Sequence, residues 1–511
     1  MKVKSICIVG GGSSGWMAAR ALSANTEAQV TLVSSEKIGT IGVGESTIPS
    51  FTSFVKHTLK FEEKDWMKAC DATYKASIRF NDFLNKGSVS HHPFISREEM
   101  GYNGYNWAVY NALEPKKGNL EEYFNQFIGC MLSRDNKFGK VIGDTYAHHL
   151  SAEKFGEYCK KSCGDKVLHI VGTVTQAVTL DEETIECIIL DTGEKVSADL
   201  FIDCSGFSSI LLNKTLKVPF ISYEDTLINN KAIACPISYK EESSKSKELN
   251  PFTDCTALAN GWAWNAPLWG RTGTGYVYSD KFCSKDQATQ EFENYLVDRF
   301  GRSRVDTKEF RYLDVRTGKH KVAWKGNCTS LVLTTGFIEP IESTGLALAA
   351  LQIESLVTIV KTEGYSTLDR AIFNNSIDKY MEEIHDFVTL HYLNTRRDDS
   401  EYWEHLSKSM EPTPKTLSTI YNIYRNGDID GQFFPFSSWE AILVGFNILG
   451  AYTSLSTLSF SRKVLNSLDE KDAQEILDET YRYVQEILIR NEGTLAVQGS
   501  HYQYLKDNIY G

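Results

Sequence analysis

The sequence predicts an α/β fold, with a Rossmann-like dinucleotide-binding module built on mixed sheets and a mainly helical C-terminal region. Three patterns lead to this prediction. Residues 1–50 have the pattern of a strand, a glycine turn, a helix and a second strand. Short apolar runs then recur between polar and glycine turns. After Gly345, apolar residues follow helical spacing. We therefore divide the chain into an α/β module over 1–345 and a mainly helical region over 346–511 that packs on it.

Composition narrows the class of protein. A chain of 511 residues that is 42% hydrophobic is long and apolar enough to bury a core around a large cofactor. It has no run of 18 apolar residues, and Ser5–Val9 ends in glycines and not in a cleavage site, so we expect a cytoplasmic protein without a signal peptide. A net charge of −12 without a Lys/Arg-rich block argues against nucleic acid or a membrane as partner. We expect a small-molecule ligand and a homo-oligomer.

The cysteines suggest neither a metal site nor disulfides. Eleven are scattered along the chain, and none forms paired CxxC motifs at zinc spacing. Cys159 and Cys163 are four apart and could share a helix face. We interpret all of them as free, mostly buried thiols, and expect no metal.

The first elements predict a dinucleotide site. They are a strand at Ser5–Val9, a helix near Ser13–Ser23 and a strand at Gln29–Val33. A G-x-G-x-x-G motif lies between the first strand and the helix, where glycines allow a tight turn and close approach of backbone to a pyrophosphate. The helix N-terminus then faces the phosphates. The predicted cofactor-binding residues of this turn are Gly10, Gly12, Ser13, Ser14 and Gly15.

Two further segments extend this site. The acid that binds a ribose should follow the second strand, and Glu36 is the candidate. The loop Gly42–Pro49 contains Gly44, Glu45 and Ser46, which we add to the cofactor site, although an ordinary glycine turn has the same pattern. Further strands are predicted at Lys166–Leu180, Thr184–Leu190, Leu200–Asp203 and Ser330–Thr334.

Three other segments have ordinary explanations from their residues alone. In Asp71–Phe80 polar and apolar residues alternate as in a half-buried strand, which would make Lys75 a solvated surface lysine. Trp262 and Trp264 are spaced like one face of a core strand. Glu342 has the position of an acid at a helix N-terminus, where backbone N–H groups can also hold an anion.

Taken together, five segments resemble the flavin-dependent tryptophan-halogenase family. They are GGGSSGWMA at 10–18, GVGESTIP at 42–49, ADLFIDCSG at 198–206, GWAWNAP at 261–267 and EPIESTG at 339–345. The resemblance extends from residue 1 to about 405 and is loose beyond. Ala266 stands where the family has isoleucine in its Trp-x-Trp-x-Ile-Pro motif.

The resemblance implies a flavin monooxygenase-like FAD-binding fold, an inserted sheet that carries the Trp-x-Trp motif, and roles for named residues. Lys75 is implied as the catalytic lysine, which either polarises hypohalous acid by a hydrogen bond or forms a haloamine with it. Glu342 is implied as the carboxylate that stabilises the cationic arene and assists proton loss, whereas Glu339 has no catalytic role. The backbone amides of Thr344 and Gly345 are implied to bind the halide. The passage between flavin and substrate is implied to be lined by Trp262, Trp264 and Pro267.

The implied activity needs FAD in its reduced form, FADH2, together with oxygen and chloride, bromide or iodide. We find no second dinucleotide motif for NAD(P)H, so FADH2 should diffuse from a separate flavin reductase. The helical region should bind the aromatic substrate.

The expected substrate is an electron-rich aromatic such as an indole or phenol. Members specific for free tryptophan carry a tyrosine pair whose nearest counterpart here is Trp439-Glu440. Trp439 is a candidate substrate contact, although with Phe433, Phe434 and Phe436 it would also suit a helical core. His91, His92 and Phe94 loosely match a family segment near the substrate, but adjacent histidines are more often surface residues, and we leave them out of the catalytic set. A flavin-dependent aromatic monooxygenase and a non-catalytic flavin-binding protein are the alternatives.

Overall fold

The computed structural model describes residues 2–37, 39, 42, 45–94, 120–143, 145–305, 309–362, 364–410, 413–414, 416–420, 433–446 and 470–511. Within them the chain forms mixed parallel and antiparallel sheets, followed by long helices, as predicted. None of the helices in these segments is both long enough and apolar enough to cross a membrane. Each of the eleven cysteines is a free thiol, and Cys159 and Cys163 are buried, as expected.

A six-stranded sheet contains the predicted βαβ unit. Its strands, in spatial order, are Trp324–Lys325, Cys328–Ser330, Leu200–Asp203, Ser5–Val9, Gln29–Ser34 and Val167–Val171. All neighbours are parallel except the first pair. Val9 lies opposite Val33, so the turns after these two strands leave the same edge of the sheet. The glycine turn and the turn that holds Glu36 are therefore neighbours.

The strand predicted at Ser330–Thr334 is wrong in position. Strand Cys328–Ser330 ends where the prediction begins, and Leu331 starts a turn in which Thr334 N donates to its carbonyl oxygen. Leu333 has a φ of 69°, which a strand does not allow. Leu331 and Val332 are apolar because the turn is buried.

A seven-stranded sheet forms the second layer. Its spatial order is Arg311–Asp314, Lys231–Ser238, Arg271–Tyr278, Gly261–Pro267, Phe252–Ala257, Ser77–Asn81 and Val89–Pro93. Strands Phe252–Ala257 and Ser77–Asn81 are its parallel pair, and the other neighbours are antiparallel. This sheet carries the tryptophan motif.

Three small sheets complete the strands of the described segments. One contains Lys195–Val196, Ile185–Leu190 and Val174–Thr179, the second Phe220–Ser222, Gly318–His320 and Gly336–Phe337, and the third Glu45–Ser46, Ala147–Leu150 and Thr73–Lys75. In the third sheet, strand Ala147–Leu150 lies between Glu45–Ser46 and the strand of Lys75.

The helices fall into two groups. Those before residue 345 are Ser13–Asn25, Pro49–His57, Glu63–Ala69, Leu120–Asn125, Ile128–Arg134, Ala152–Cys163, Glu242–Glu248, Lys285–Phe300 and Arg302–Val305. Those after it are Gly345–Lys361, Thr367–Leu393, Glu401–Ser409, Phe436–Gly445, Glu470–Ala496 and His501–Leu505. Helix Gly345–Lys361 packs against Ser13–Asn25, which places its N-terminus beside the dinucleotide module.

Candidate functional site

The glycine turn has the geometry that binding of a dinucleotide requires. Gly10 has a φ of 121°, and a Cβ there would lie 2.2 Å from the carbonyl oxygen of Cys204. A Cβ on Gly15 would lie 2.0 Å from the carbonyl oxygen of Gly10, so this glycine allows the helix to pack against the strand. A Cβ on Gly12 would meet no atom within 4 Å, which leaves open space before the N-terminus of helix Ser13–Asn25. A pyrophosphate fits this space.

The other predicted cofactor residues differ in how they are placed. Glu36 is exposed in the turn after Gln29–Ser34, as a ribose-binding acid would be. Ser13 Oγ donates to Ala152 O at 2.8 Å. Glu45 accepts from Ala152 N at 2.7 Å, at the start of helix Ala152–Cys163. The Glu45 carboxylate and the Ser13 hydroxyl thus tie the cofactor turn to a neighbouring helix.

Three residues complete this set. Ser14 is half-buried in the first turn of helix Ser13–Asn25. The hydroxyls of Ser46 and Thr253 lie 2.6 Å apart. Gly44 lies outside the described residues.

Lys75 is buried, and the expectation of a half-buried strand around it is wrong. Strand Thr73–Lys75 pairs with Ala147–Leu150, and after one residue the chain enters the seven-stranded sheet at Ser77. The break occurs at Ala76, whose N–H donates to Pro251 O at 2.7 Å. Lys75 and Ser77, on either side of this break, are both fully buried.

The amino group of Lys75 has defined partners. Nζ donates to Thr47 O at 2.8 Å and to Ser343 Oγ at 3.0 Å, and it lies 4.9 Å from the centre of the Phe94 ring. Burial lowers the pKa of Lys75 from 10.5 to about 7, although the charge of Glu342 opposes that shift. Near neutral pH the amine is therefore divided between its charged and neutral forms.

Glu342 lies in a short 3-10 turn that leads to the helix at Gly345, and two histidines hold it. His92 Nδ1 lies 2.5 Å from its Oε2, and His391 Nε2 lies 2.7 Å from its Oε1. Burial works to raise the pKa of Glu342, but His92 and His391 outweigh burial and lower it to about 2. Ser343 follows with a φ of 59°, a left-handed conformation that is uncommon for a residue other than glycine.

The hydrogen bonds of His391 fix a proton in this cluster. Its Nδ1 lies 3.1 Å from Phe387 O and 3.2 Å from Val388 O. Since carbonyl oxygens only accept, Nδ1 carries a hydrogen. Nε2 faces a carboxyl oxygen of Glu342, so a second proton must lie between these two atoms. One proton is therefore shared between Nε2 of His391 and the carboxylate of Glu342, in addition to the hydrogen on Nδ1.

His92 is a functional candidate that the sequence analysis missed, and its assignment to the surface is wrong. It is 2% exposed, and its Nε2 lies 2.7 Å from Ser438 Oγ. Strand Val89–Pro93 alternates its faces, which points His92 away from His91. That alternation and the loose family match of His91, His92 and Phe94 were the available signals.

Aromatic rings surround His92. Phe434 stacks on Phe387 with centroids 3.9 Å apart, and Trp439 meets Phe387 edge-on at 5.0 Å. Phe94 lies 5.6 Å from His92. Trp439 is buried, and its indole N–H has no hydrogen-bond partner among the described residues. These rings belong both to the core and to the surroundings of Glu342.

The tryptophan motif occupies strand Gly261–Pro267. Trp262 is fully buried and Trp264 is 8% exposed, with ring centroids 6.2 Å apart. Gly275 leaves room for Trp264, because a Cβ there would lie 2.0 Å from the Trp264 ring. Pro267 ends the strand, and its carbonyl oxygen accepts from Thr73 Oγ1 at 2.5 Å. The motif is thereby joined to the strand of Lys75.

The predicted anion site lies at a helix start. Helix Gly345–Lys361 begins directly after Thr344, and Ser343 between Thr344 and Glu342 bonds to Lys75. A Cβ on Gly345 would meet no atom within 4 Å, so open space adjoins the first amides. An anion fits there because the first N–H groups of a helix lack intrahelical acceptors. Among the described residues, no cluster of three or more His, Cys, Asp or Glu side chains is arranged to hold a metal ion.

Comparisons with known proteins agree on one family. The family model for tryptophan halogenase matches residues 5–457. Tryptophan 6-halogenase SttH of Streptomyces toxytricini is 33% identical over 482 residues, which are 87% of this chain and 90% of that protein. The apo structure of VirX1 has a TM-score of 0.85 at 32% identity and covers 100% of both chains. Xcc4156, a flavin-dependent halogenase from Xanthomonas campestris, has a TM-score of 0.83 at 27% identity and covers 99% of this chain and 98% of its own.

Proposed function

This chain belongs to the tryptophan halogenase family and is a flavin-dependent halogenase, and we propose that it uses FADH2, oxygen and a halide to halogenate an electron-rich aromatic compound, with Lys75 and Glu342 as the catalytic residues. The observation that carries the proposal is the contact between Lys75 and Ser343 at 3.0 Å. It joins a buried amine to the residue that follows a buried carboxylate, beside an open helix N-terminus. An amine and a carboxylate are the two groups that directed electrophilic substitution needs.

FAD is the cofactor of this family, and the turn around Gly12 fits it. Gly10, Gly12 and Gly15 would hold its pyrophosphate, with Glu36 at a ribose. Bound FADH2 would reduce oxygen by two electrons to the peroxide level, and that oxidant would convert halide into hypohalous acid, with water as the other product. Because we find no NAD(P)H motif in the sequence, we assign the reduction of FAD to a separate flavin reductase.

Halide would bind at the amides of Thr344 and Gly345. Backbone N–H groups at a helix start favour a negative charge, and the space at Gly345 admits an anion. Such donors select weakly by anion size, so chloride, bromide and iodide are all candidates. This position lies next to Ser343 and is therefore close to the amine of Lys75, which would receive the hypohalous acid.

Lys75 would direct the oxidised halogen, and its pKa of about 7 supports both chemical routes. The ammonium form donates a hydrogen bond that polarises hypohalous acid. The neutral form donates hydrogen bonds to Thr47 O and Ser343 Oγ through its two N–H groups. Its lone pair would attack the halogen of hypohalous acid, which forms a haloamine, breaks the oxygen–halogen bond and releases water as one N–H proton is lost.

Glu342 would act on the arene. Attack by an electrophile leaves a cationic ring, which an ionised carboxylate stabilises and then deprotonates. The low pKa of about 2 keeps Glu342 ionised at neutral pH, and its bonds to His92 and His391 fix its direction. The proton that leaves the arene would pass to Glu342, whose carboxylate already shares one proton with His391.

The substrate would be an indole or phenol recognised by aromatic contacts. Phe94, Phe387, Phe434 and Trp439 offer ring faces and edges near His92. The N–H of Trp439, which has no hydrogen-bond partner among the described residues, would supply a donor for a polar substituent on the ring. Because Trp439-Glu440 stands where tryptophan-specific members carry a tyrosine pair, we expect no strict requirement for the amino-acid group.

A mass-spectrometric assay tests the proposal. It contains FAD, a flavin reductase, NADH and catalase, and screens chloride, bromide and iodide against indoles and phenols. Halogenated product is expected from the wild type and from Lys161→Ala, which changes an exposed lysine, but not from Lys75→Ala, although that variant should retain FAD. Oxygenated product without halogen would instead indicate a monooxygenase, and product from Lys75→Ala would refute the assigned role.

A further inference from the structure

Glu339 is a buried acid that the proposed reaction does not use. It is 0% exposed, and burial raises its pKa although three hydrogen-bond donors oppose that shift. An apolar residue of similar size would avoid the cost of removing a carboxyl group from water. Its presence therefore needs a reason in its contacts.

All three donors converge on one oxygen, Oε2. They are Trp262 Nε1 at 3.0 Å, Asn229 Nδ2 at 3.0 Å and the hydroxyl of Tyr392 at 2.6 Å. Among the described residues, Oε1 has no partner. The side chain thus serves as one acceptor for three segments: the strand of the tryptophan motif, the end of helix Thr367–Leu393, and the residues before strand Lys231–Ser238.

The two glutamates of the turn bind adjacent residues of one helix. Glu342 contacts His391, and three residues earlier in the chain Glu339 accepts from Tyr392. The same Oε2 also holds the indole of Trp262, the inner ring of the pair whose centroids are 6.2 Å apart. Rotation of that indole is therefore coupled to the turn that ends in Glu342.

We propose that hypohalous acid passes Trp262 on its way from the flavin to Lys75, and that Glu339 is a positioning residue that fixes the indole of Trp262 and so limits leakage of hypohalous acid. The inference rests on the proposed function. What the site requires from Glu339 is an acceptor oxygen at the position of Oε2, and a charge is not needed. Glutamine supplies such an oxygen in a side chain of the same shape, whereas methionine fills the volume without it.

The test compares Glu339→Gln with Glu339→Met in the FAD-loaded, full-length enzyme. The readouts are halogenated product per FADH2 oxidised, and hypohalous acid that escapes to a diketone trap in solution. Glu339→Met should lower the product ratio at least fivefold and raise the trapped fraction, with FAD affinity and the rate of FADH2 oxidation within twofold of wild type. Glu339→Gln should keep the product ratio within twofold of the wild-type value.

Two tryptophan variants test the contact itself. Trp262→Phe removes the indole N–H and should lower the product ratio, as Glu339→Met does. Trp324→Phe is the matched control, because Trp324 is equally buried but donates to Gly326 O, at 3.1 Å. It should leave the ratio unchanged. If Glu339→Met does not fold, Trp262→Phe and Trp324→Phe still test whether the hydrogen bond of the Trp262 indole controls the product ratio.

Three results would overturn the inference. They are an unchanged ratio in folded Glu339→Met, an equal loss in Glu339→Gln, and an equal loss in Trp324→Phe. A wild-type protein that forms no halogenated product would contradict the proposed function, which is a different outcome from coupling that does not depend on Glu339.

Discussion

Replacing Lys75 by methionine should abolish halogenation and, at neutral pH, make the protein more stable. Burial lowers the pKa of Lys75 from 10.5 in an unfolded chain to about 7 in the fold. The folded state thus holds this proton less tightly than the unfolded state. The resulting cost to stability is full below pH 7 and vanishes as the pH rises through 10.5.

The magnitude follows from the two pKa values. Linkage gives a cost of about 4 kcal/mol at pH 7 and about 2 kcal/mol at pH 9. Methionine removes this cost but leaves Thr47 O and Ser343 Oγ without a donor, at about 1 kcal/mol each. The net gain should be about 2 kcal/mol at pH 7 and close to zero at pH 9. The decline of about 2 kcal/mol between the two pH values does not depend on the lost hydrogen bonds, since they cancel in the comparison.

Urea unfolding at pH 7 and pH 9, followed by tryptophan fluorescence, measures this difference. Lys161→Met removes a lysine charge from the exposed surface and should show no such pH dependence. A stability difference between wild type and Lys75→Met that is equal at the two pH values, or larger at pH 9, would refute the argument that burial depresses this pKa.

Other predictions concern the proposed FAD and halide sites and the acid limb of the pH–rate profile. Gly15→Ala should lower both FAD binding and stability, because its Cβ would lie 2.0 Å from a carbonyl oxygen. Gly12→Ala should fold normally and raise the Kd for FAD about tenfold, as measured by equilibrium titration. Gly345→Ala should raise the KM for halide about tenfold, most for iodide, without weakening FAD, and an unchanged KM would place the halide elsewhere. His391→Leu removes a partner that lowers the pKa of Glu342, so the acid limb of the pH–rate profile should move up by about one pH unit. A limb that stays in place would show that Glu342 does not set it.

The N-terminal unit was predictable because its signals are local. Strand Ser5–Val9 has the predicted bounds, helix Ser13–Asn25 and strand Gln29–Ser34 begin where predicted, and the start of a helix at Gly345 was visible from the apolar spacing. Each depends on residues a few positions apart. Strand Ser330–Thr334 failed because a buried turn is as apolar as a strand.

The surroundings of the candidate site were not predictable from local pattern. Lys75 alternates with apolar neighbours as a surface lysine would, but its amino group lies against Thr47, Ser343 and Phe94, which are distant in sequence. The contact between His92 and Glu342 joins residues 250 positions apart, and no spacing rule reports such a pair. The resemblance to a family indicated Lys75 and Glu342 and matched His92 only loosely, and it did not indicate the contact of His92 with Glu342 or the role that we propose for Glu339.

The cost of this cluster is itself an argument for its function. Lys75, Glu339, Glu342, His92 and His391 are all nearly or fully buried, and several come from distant parts of the chain. Apolar residues at such positions would usually give a more stable core. Structural ion pairs are common at surfaces, where they cost little, but a buried group of amine, carboxyls and imidazoles survives selection for stability when a reaction needs it. The pH-dependent gain expected from Lys75→Met measures part of that cost directly, and the simultaneous loss of product would show what the fold obtains in return.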